Sequence, residues 1–285
     1  MKTRCPERIL EGIRIGNRGV PAALLAMLCA LGGSHPSFSQ TVPKLNDTGV
    51  VSCYNASVAI ACDPAARDAG THPRQDARYG RDAKKSAALL TKVGAGSGSF
   101  DFTKICRNGD AAGTGTCPAD PAQGSGATDW GCTLDNVTGL LWELKTTAPA
   151  TLSYSGHKYT WYSTNAATNG GNVGNQGANS CNGTLPGGLC NTEAFIAAIN
   201  SAALCGRSDW RVPNELEMQS RIDYSKGSLA FDTNYFPNSA GGNYWTSRTT
   251  AFNVTEAFFF SFNLGDINYD VKSGNYFAQA VSKGQ

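Results

Sequence analysis

The spacing of apolar residues divides this chain into a weakly patterned N-terminal part and a strongly patterned C-terminal part. Residues 40–128 are rich in Gly, Ala, Asp and Arg and show little helical or strand-like spacing. From Trp130 onward, aromatic and aliphatic residues recur at the spacings of strands and helices. We therefore expect a loop-rich accessory segment over residues 40–128 and a principal domain over residues 129–285.

One short β-hairpin is expected within the accessory segment, between Cys53 and Cys62. Its β-prone arms are Val50-Val51 and Val58–Ile60. The rest of this segment consists of turn-rich connections.

Two helices are predicted in the principal domain. The first begins at Asn191 or Thr192, either of which can cap the N-terminus, and Gly206 is expected to end it. Its buried face is formed by apolar residues at helical spacing: Phe195, Ile196, Ile199 and Ala203.

The second helix starts at Asn214, because Glu217 follows three residues later in the capping-box arrangement. Pro213 ends the segment before it. Met218 and Ile222 lie four residues apart and share one face of this helix.

Strands are predicted on both sides of the helices. Asp135-Asn136 forms a turn before the apolar strand Leu140–Trp142, and residues 157–163 alternate aromatic and polar side chains as a half-buried strand does. Residues 165–190 are rich in Asn and Gly and nearly devoid of apolar side chains, so they form a surface loop.

The C-terminal tail is strand-like, with segments at residues 243–249, 257–271 and 276–282. The middle segment predicts a β-hairpin that turns at Asn263–Asp266. Two rows of side chains flank this turn, each row on one face: Phe258, Phe260 and Phe262, and then Ile267, Tyr269 and Val271.

Residues 1–39 are predicted to be a cleavable secretory signal. A basic front precedes an apolar run at residues 20–33, which is shorter than a helix that spans a bilayer of about 30 Å. Ser37 and Ser39 supply small residues before a cleavage site at Gln40. A lipid anchor at Cys29 and a retained anchor are the alternatives. After cleavage we expect no transmembrane segment and a location in the periplasm, at the cell surface or outside the cell.

Removal of this segment changes the charge balance. The precursor has 24 Lys+Arg and 22 Asp+Glu, and the mature chain keeps 19 basic and 20 acidic residues. The basic pI of the precursor therefore comes from the predicted signal at residues 1–39 and gives no support for nucleic-acid binding. Residues 67–107 hold nine Lys and Arg, and a solvated surface of mixed charge explains them better than a basic strip does.

Eight cysteines remain after cleavage, and an even number in an exported chain indicates disulfides. Eight cysteines allow 105 pairings, and the sequence alone does not choose among them. Spacing favours three local pairs, Cys53–Cys62, Cys106–Cys117 and Cys181–Cys190, which leaves Cys132 with Cys205. A zinc site is the alternative, but the chain has no CxxC and the mature part has only two histidines, His72 and His157.

The C-terminal part resembles the C-terminal domain of the Legionella collagen-like protein (Lcl). The resemblance runs from about Trp130 to Val281 and rests on six motifs in order: "DNVTGLLWE", "YTWY", "LCGRSDWRVPNELE", "FDTNYFPN", "NYWTS" and "FFFSFNLGDI". The segment from Asp47 to Cys62 is similar to a lead-in that often precedes this domain.

This resemblance implies an α+β fold of C-type-lectin-like type, with two helices packed on a small, twisted antiparallel sheet. The namesake is a surface adhesin for sulfated polysaccharides, and formylglycine-generating enzymes have a distantly related fold. The end of the chain, "YFAQAVSKGQ", lacks the frequent R-C-V-R of the family. The absence of that cysteine supports Cys132 as the partner of Cys205.

Metal-dependent and catalytic chemistry find little support in the sequence. "VPNE" is similar to the E-P-N tripeptide of calcium lectins, but Val212 has no side-chain oxygen and Asn214 already serves as a helix cap. His72 and His157 have no nucleophile motif around them. Formylglycine-type oxidation would require reactive cysteines in the C-terminal part, but no cysteine follows Cys205. We therefore expect no enzymatic activity, no cofactor and no metal.

Glycan binding without a metal fits the residue types best. Aromatic rings stack on sugar faces, and Lys and Arg pair with sulfate or carboxylate. The candidates are Lys158, Tyr159, Trp161, Tyr162 and Arg248, although the tryptophans fit a core role better.

The stretch Asp209-Trp210-Arg211 is interpreted as a structural corner. Trp210 is expected to fill the core and Arg211 to form a buried or half-buried ion pair, after which Pro213 and Asn214 start the second helix.

The sequence thus predicts an exported, disulfide-linked, non-catalytic module for binding or adhesion. Its expected partner is a sulfated or acidic polysaccharide or another envelope protein. A structural or assembly subunit of the cell envelope is the alternative, and a catalyst similar to formylglycine-generating enzymes is a distant third.

Overall fold

The structure is a computed structural model that describes residues 44–56, 58–63, 72–177, 180–227 and 229–284. The predicted signal segment, residues 1–39, lies outside the described residues. Pro43–Gln285 is one compact unit, so the accessory segment belongs to the same body as the principal domain.

Three antiparallel sheets form the framework. The two-stranded sheet pairs β1 (Cys53–Asn55) with β2 (Val58–Ile60). The four-stranded sheet has the order β3 (Phe102–Cys106), β4 (Trp130–Asp135), β5 (Leu140–Glu143), β9 (Val281–Lys283). The three-stranded sheet has the order β6 (Asn243–Thr249), β7 (Glu256–Ser261), β8 (Asp266–Val271).

The turn between β4 and β5 shows how the sequence sets the register of the larger sheet. Asp135 Oδ1 accepts a hydrogen bond from Val137 N at 2.9 Å, and Gly139 closes the turn with a φ of 74°, a conformation that glycine adopts without strain. Thr133 then pairs with Trp142 across the two strands. The last strand, β9, pairs with β5 and ties the end of the chain to the centre of the fold.

Three α-helices accompany the sheets among the described residues: α1 (Gly80–Ser86), α2 (Thr192–Ser201) and α3 (Glu215–Gln219). The predicted N-cap of α2 is confirmed as Asn191, whose Oδ1 accepts from Ala194 N at 2.8 Å. The predicted end at Gly206 is wrong. The helix stops at Ser201 because Ala203 has a left-handed φ of 46°, and this residue is exposed instead of buried.

The capping box at the start of α3 is confirmed. Asn214 Oδ1 accepts from Glu217 N at 2.9 Å, and Glu217 Oε2 accepts from Asn214 N at 2.8 Å. Met218 and Ile222 are both buried, as the shared face of this segment predicts.

Two large apolar clusters form the core. The first surrounds the buried face of α2 and includes Phe195, Ile199, Leu204 and Trp210. The second lies around β5, β7 and the end of α3, and it includes Trp142, Met218, Phe260 and Phe262. Each fully buried side chain of this size contributes about 1.5–3 kcal/mol relative to exposure.

Four disulfides cross-link the described chain: Cys53–Cys62, Cys106–Cys117, Cys132–Cys205 and Cys181–Cys190. Cys132–Cys205 spans 73 residues and joins β4 to the segment after α2. Closing so long a loop removes more chain entropy from the unfolded state than the local pairs do.

Two strand predictions need correction. Residues 157–163 do not form a regular strand, because neighbouring residues bridge to different segments: Tyr159 to Tyr276, Thr160 to Asn191 and Tyr162 to Gly174. The predicted alternation of burial is also absent, since Tyr159, Thr160 and Trp161 are all buried. The arms of the first hairpin are Cys53–Asn55 and Val58–Ile60, so Val50-Val51 lies outside it.

The predicted hairpin near the C-terminus is confirmed as β7 and β8. Its two rows differ in burial, since Phe260 and Phe262 are buried whereas Ile267, Tyr269 and Val271 are exposed. Of the last predicted segment, residues 276–282, only the end lies in a regular strand, β9 (Val281–Lys283).

Candidate functional site

Two of the five predicted ligand-binding residues lie in the core. Tyr159 and Trp161 are each 1% exposed. Tyr159 packs on Phe195 with ring centroids 4.9 Å apart, and Trp161 Nε1 donates to Thr246 O at 2.8 Å. Tyr159 therefore offers no ring face to a ligand, and Trp161 contributes only a small exposed part to the lining of the depression at Tyr162.

The other three predicted residues border three different surface depressions. Lys158 lies 5.5 Å from the centre of the Phe277 ring, in a shallow depression at the start of β6. Tyr162 borders a depression of about 300 Å³ together with Arg211 and Ser247. Arg248 borders a third depression, and Thr168 lines both this depression and the one at Tyr162. The structure therefore brings Tyr162 near Arg248 and does not place Lys158 in that group.

The depression at Arg248, called the Arg248 depression below, has a volume of about 600 Å³. Its walls come from the end of β6, the β6–β7 connection and the 163–177 loop. Its lining combines polar residues, Thr168, Arg248, Thr249 and Thr250, with the apolar residues Phe252, Val254 and Phe258. This size and mixture are typical of small-molecule and sugar sites.

Exposed aromatic rings adjoin Arg248. Phe252 is 68% exposed and packs edge-on against Tyr269, with ring centroids 4.9 Å apart. Phe258, which lines the depression, is the cross-strand partner of Tyr269. We call Phe252, Phe258 and Tyr269 the aromatic strip. Sequence reasoning missed these residues as a site; the aromatic Phe252 within the polar run "TTAFNVT" was the available signal.

The charges around the depression leave Arg248 accessible. Its side chain is 66% exposed, and its Nη1 lies 3.7 Å from Glu215 Oε2. Glu215 Oε1 already accepts from Thr246 Oγ1 at 3.1 Å. A single exposed contact of this length contributes little energy, so an anion can compete for the guanidinium.

Arg211, at the neighbouring depression, is committed to the structural corner. Its Nη1 donates to Glu217 Oε2 at 2.7 Å, and the same carboxylate closes the capping box of α3. The hydrogen bonds that Arg211 donates to this carboxylate raise the pKa of Arg211 above its usual range. Trp210 N donates to Asn200 Oδ1, and Trp210 Nε1 donates to Leu204 O. These contacts hold the corner without a ligand.

The 163–177 loop is ordered by three successive Asn-x-Gly triplets. In each triplet the Asn Oδ1 accepts from the glycine amide two residues later: Asn169 to Gly171, Asn172 to Gly174 and Asn175 to Gly177, all at 2.8–2.9 Å. The three glycines have φ values of 85–91°, a backbone conformation that residues other than glycine rarely adopt.

Lys272 holds this loop through hydrogen bonds to its backbone carbonyls. Its Nζ donates to Asn169 O at 3.0 Å and also to Asn172 O, and it lies 4.2 Å from the centre of the Trp161 ring. Burial lowers the pKa of Lys272 to about 8. The wall of the Arg248 depression is therefore held by a buried cation and by backbone turns.

A carboxylate cluster elsewhere in the fold has the donor type that hard cations prefer. One oxygen from each of Asp47, Asp76 and Asp82 lies within 4.8 Å of the others. Asp47 Oδ2 accepts from the amides of Arg81 and Asp82 at the start of α1, so it already serves as a cap. Asp82 Oδ2 accepts from Gly49 N at 3.0 Å. These bonds account for the cluster as part of the local fold.

The fold and the depressions define a disulfide-linked domain of mixed helix and antiparallel sheet that has shallow polar and aromatic surface sites. Residues 131–282 match the family described as the Lcl C-terminal domain. Since this match covers more than half of the 285 residues, the chain belongs to that family. No curated protein matches the chain. No solved structure matches it either.

The structure describes no helix that is long and apolar enough to cross a membrane; this statement covers the described ranges alone.

Proposed function

We propose that the protein is an exported, non-catalytic module of C-type-lectin-like type that binds anionic glycans at the Arg248 depression. One observation carries this proposal: an accessible guanidinium lies beside Thr168 and the aromatic strip, in which the rings of Phe252 and Tyr269 are exposed. A guanidinium pairs with sulfate or carboxylate, and rings cover the apolar face of a sugar.

The proposed organisation has a signal at residues 1–39, an accessory segment at residues 40–128 and the binding domain at residues 129–285. Membership of the Lcl C-terminal domain family supports the lectin-like fold, and four disulfides support export.

The surroundings of His157 support a non-catalytic role. This side chain is buried, its Nε2 lies 3.1 Å from Pro149 O, and its Nδ1 lies 3.5 Å from the Tyr159 hydroxyl. Burial lowers the pKa of His157, so the ring is neutral and held in place. Its hydrogen-bond partners among the described residues include no Ser or Cys side chain that it could activate as a nucleophile.

The test is binding of heparin and chondroitin sulfate to the oxidised protein, with dextran as the neutral control. Binding is expected to be unaffected by a chelator and to weaken as salt rises from 50 to 300 mM, because the ion pairs are exposed and screened. Arg248→Gln is expected to weaken binding about tenfold, because the variant loses one charge-assisted hydrogen bond to the glycan.

Lys84→Gln is the matched control, because Lys84 is an exposed cation on α1 and the change removes the same charge. Equal affinity of the two variants would place the glycan elsewhere. No binding to either sulfated glycan would reject the proposal.

A structural or assembly subunit is the second candidate, and the exposed row on β8 favours it. Ile267, Tyr269 and Val271 are 39%, 47% and 45% exposed, a pattern more apolar than most solvated strands. Sedimentation of the oxidised protein distinguishes this alternative, which requires concentration-dependent assembly without any glycan.

A further inference from the structure

A further depression lies at the C-terminal end of α2. It has a volume of about 540 Å³ and shares no lining residue with the Arg248 depression. Its walls come from α2, the segment 146–153 and the loop 123–125. We call it the Arg107 depression, after the cationic side chain that borders it.

The floor of the Arg107 depression is apolar and fixed. Ile199 and Leu204 are 2% and 4% exposed and belong to the core cluster around α2, and Leu152 packs against the same cluster. Leu204 directly precedes Cys205, whose disulfide to Cys132 fixes this part of the chain. A ligand would therefore meet a preformed apolar surface and would need no rearrangement of the protein.

Hydroxyl groups surround this floor. The Thr146 and Thr151 hydroxyls bond to each other, and Thr151 Oγ1 also donates to Ala148 O at 2.8 Å. The hydroxyls of Ser125, Thr147 and Ser153 form no hydrogen bond with any residue that the structure describes. They are available to a polar group of a ligand.

Arg107 supplies an uncompensated charge. Its guanidinium forms no hydrogen bond or ion pair within the described ranges, although the side chain is half-buried. Its backbone amide donates to Asp129 O at 2.8 Å. The aliphatic part of the Arg107 side chain packs directly on Gly131, since a Cβ added at Gly131 would lie 2.6 Å from Arg107 Cγ. The aliphatic part of Arg107 is thus positioned by β4, whereas its guanidinium has no partner among the described residues.

Neighbouring carboxylates are engaged elsewhere. Asp110 Oδ2 accepts from Thr116 N at 2.9 Å, and Asp129 Oδ2 accepts from Gly126 N at 2.7 Å. A half-buried guanidinium beside an apolar floor binds a planar carboxylate better than water-exposed arginines do, because two parallel N–H···O bonds form in a less polar environment.

We propose that the Arg107 depression binds small carboxylic acids that carry an apolar body, such as medium-chain or aromatic acids. The carboxylate pairs with the Arg107 guanidinium, and the apolar body packs on the more exposed Leu152 and Ala202, next to the buried Ile199 and Leu204. A neutral sugar would leave the guanidinium unpaired and would place hydroxyls on an apolar floor, at a cost in desolvation. The site is independent of the proposed glycan function, since it uses different residues and a different ligand.

The test uses octanoate and 2-naphthoate as probes of the oxidised protein, with octanol as the uncharged control. Calorimetry or ligand-observed NMR is expected to show saturable, one-site binding of both acids and at least tenfold weaker binding of octanol. Arg107→Gln is expected to weaken octanoate binding at least tenfold, Arg107→Lys by less, and Arg248→Gln not at all. Octanoate binding that is equal in the wild type and Arg107→Gln, or absent up to about 10 mM, a very weak affinity, would overturn the proposal.

Phenylglyoxal modification gives a second measurement that does not depend on the folding of a variant. This reagent attacks accessible, unpaired guanidinium groups, and mass spectrometry of peptides locates the modified residues. Octanoate is expected to protect Arg107 and to leave Arg248 reactive. Equal modification of Arg107 with and without octanoate would contradict the assignment.

Discussion

Arg221 has the least expected environment of any charged side chain that the structure describes. It is 1% exposed, and none of its three guanidinium nitrogens has a hydrogen-bond partner among the described residues. The guanidinium instead lies 4.3–4.8 Å from the ring centres of Trp142, Phe236 and Phe262. Burial lowers its pKa to about 9. Three cation–π contacts offset part of the desolvation, at about 2 kcal/mol each when desolvated.

Arg221→Met is expected to leave the free energy of unfolding unchanged or to raise it by about 1–3 kcal/mol, because an apolar side chain of similar length replaces a buried charge. Arg221→Ala is the control and is expected to lose stability through the cavity that it leaves. Denaturant unfolding measures both. Equal destabilisation by Met and Ala would show that the guanidinium has a stabilising polar partner, such as buried water.

Trp210 is expected to be essential for folding. It is buried beside the Cys132–Cys205 disulfide, and its amide and indole nitrogens are both hydrogen-bonded. Trp210→Ala is expected to cost about 3–5 kcal/mol, enough to abolish a cooperative thermal transition. Trp210→Phe keeps most of the volume and is expected to retain the transition at a lower Tm. A folded Trp210→Ala variant that loses only ligand binding would contradict the corner interpretation.

Residue types in a local pattern were sufficient to predict the corner but not the ligand site. The distance between Asn214 and Glu217 is fixed by the helix, so the capping box follows from their spacing alone. The accessibility of Tyr159 and Trp161 depends on Tyr276 and Thr246, more than 80 residues away. No pattern within residues 157–163 contains that information.

Among the secondary-structure elements, β8 is an edge strand in which two backbone amides are bonded to neighbouring side chains. It pairs with β7 on one side only. Tyr269 N donates to Asn268 Oδ1 at 2.9 Å, and Val271 N donates to Asp270 Oδ1 at 2.7 Å. Each side chain thus satisfies the next backbone donor, so these donors do not recruit a further strand. This local arrangement limits the self-association that the exposed apolar row would otherwise favour.

The double variant Asn268→Ala/Asp270→Ala is expected to form dimers or larger species through β8, because two edge amides become available next to apolar side chains. Analytical ultracentrifugation across a concentration series measures this change. Asn268→Asp/Asp270→Asn retains both acceptors and is the control. If both double variants remain equally monomeric, the Asx side chains do not protect the edge.

The end of α2 shows why some element boundaries could not be predicted. Gly206 has the residue type that ends helices, but the chain leaves the helix at Ser201 and passes through left-handed positions at Ala203 and Cys205. The disulfide from Cys205 to Cys132 fixes this path. A long-range cross-link overrides the local preference of alanine, and the local sequence does not indicate it.

For the whole molecule, the main finding is that the accessory segment packs as part of the fold. Asn46 Nδ2 donates to Asp135 Oδ2, Tyr224 N donates to Thr48 O at 2.9 Å, and Ser97 N donates to Asp232 Oδ2 at 2.6 Å. These bonds connect residues 44–99 to turns that follow β4 and α3. Weak apolar periodicity predicted a segment that is rich in loops, but polar side chains bond this segment to the domain, and their partners could not be identified from spacing.

Asp82 makes the packing of this segment depend on pH. Burial, and then the charges of Asp47 and Asp76, raise the pKa of Asp82 to about 6. An unfolded Asp titrates at about 3.9, so between pH 4 and 6 the folded state binds more protons than the unfolded state. Stability from this group is therefore fully present below about pH 4 and falls as the pH rises to about 6. It is constant above that pH.

Asp82→Asn is expected to remove this contribution, because the amide oxygen still accepts from Gly49 N but carries no charge next to Asp47 and Asp76. The Tm of the variant relative to the wild type is expected to rise as the pH goes from 4 to 6 and to stay constant from 6 to 8. Burial also raises the pKa of Asp135, so the wild-type curve alone does not isolate Asp82. Asp266→Asn, an exposed carboxylate on β8, is the control and should follow the wild type throughout. A difference between Asp82→Asn and the wild type that does not change with pH would show that Asp82 is ionised to the same extent in the folded and unfolded states.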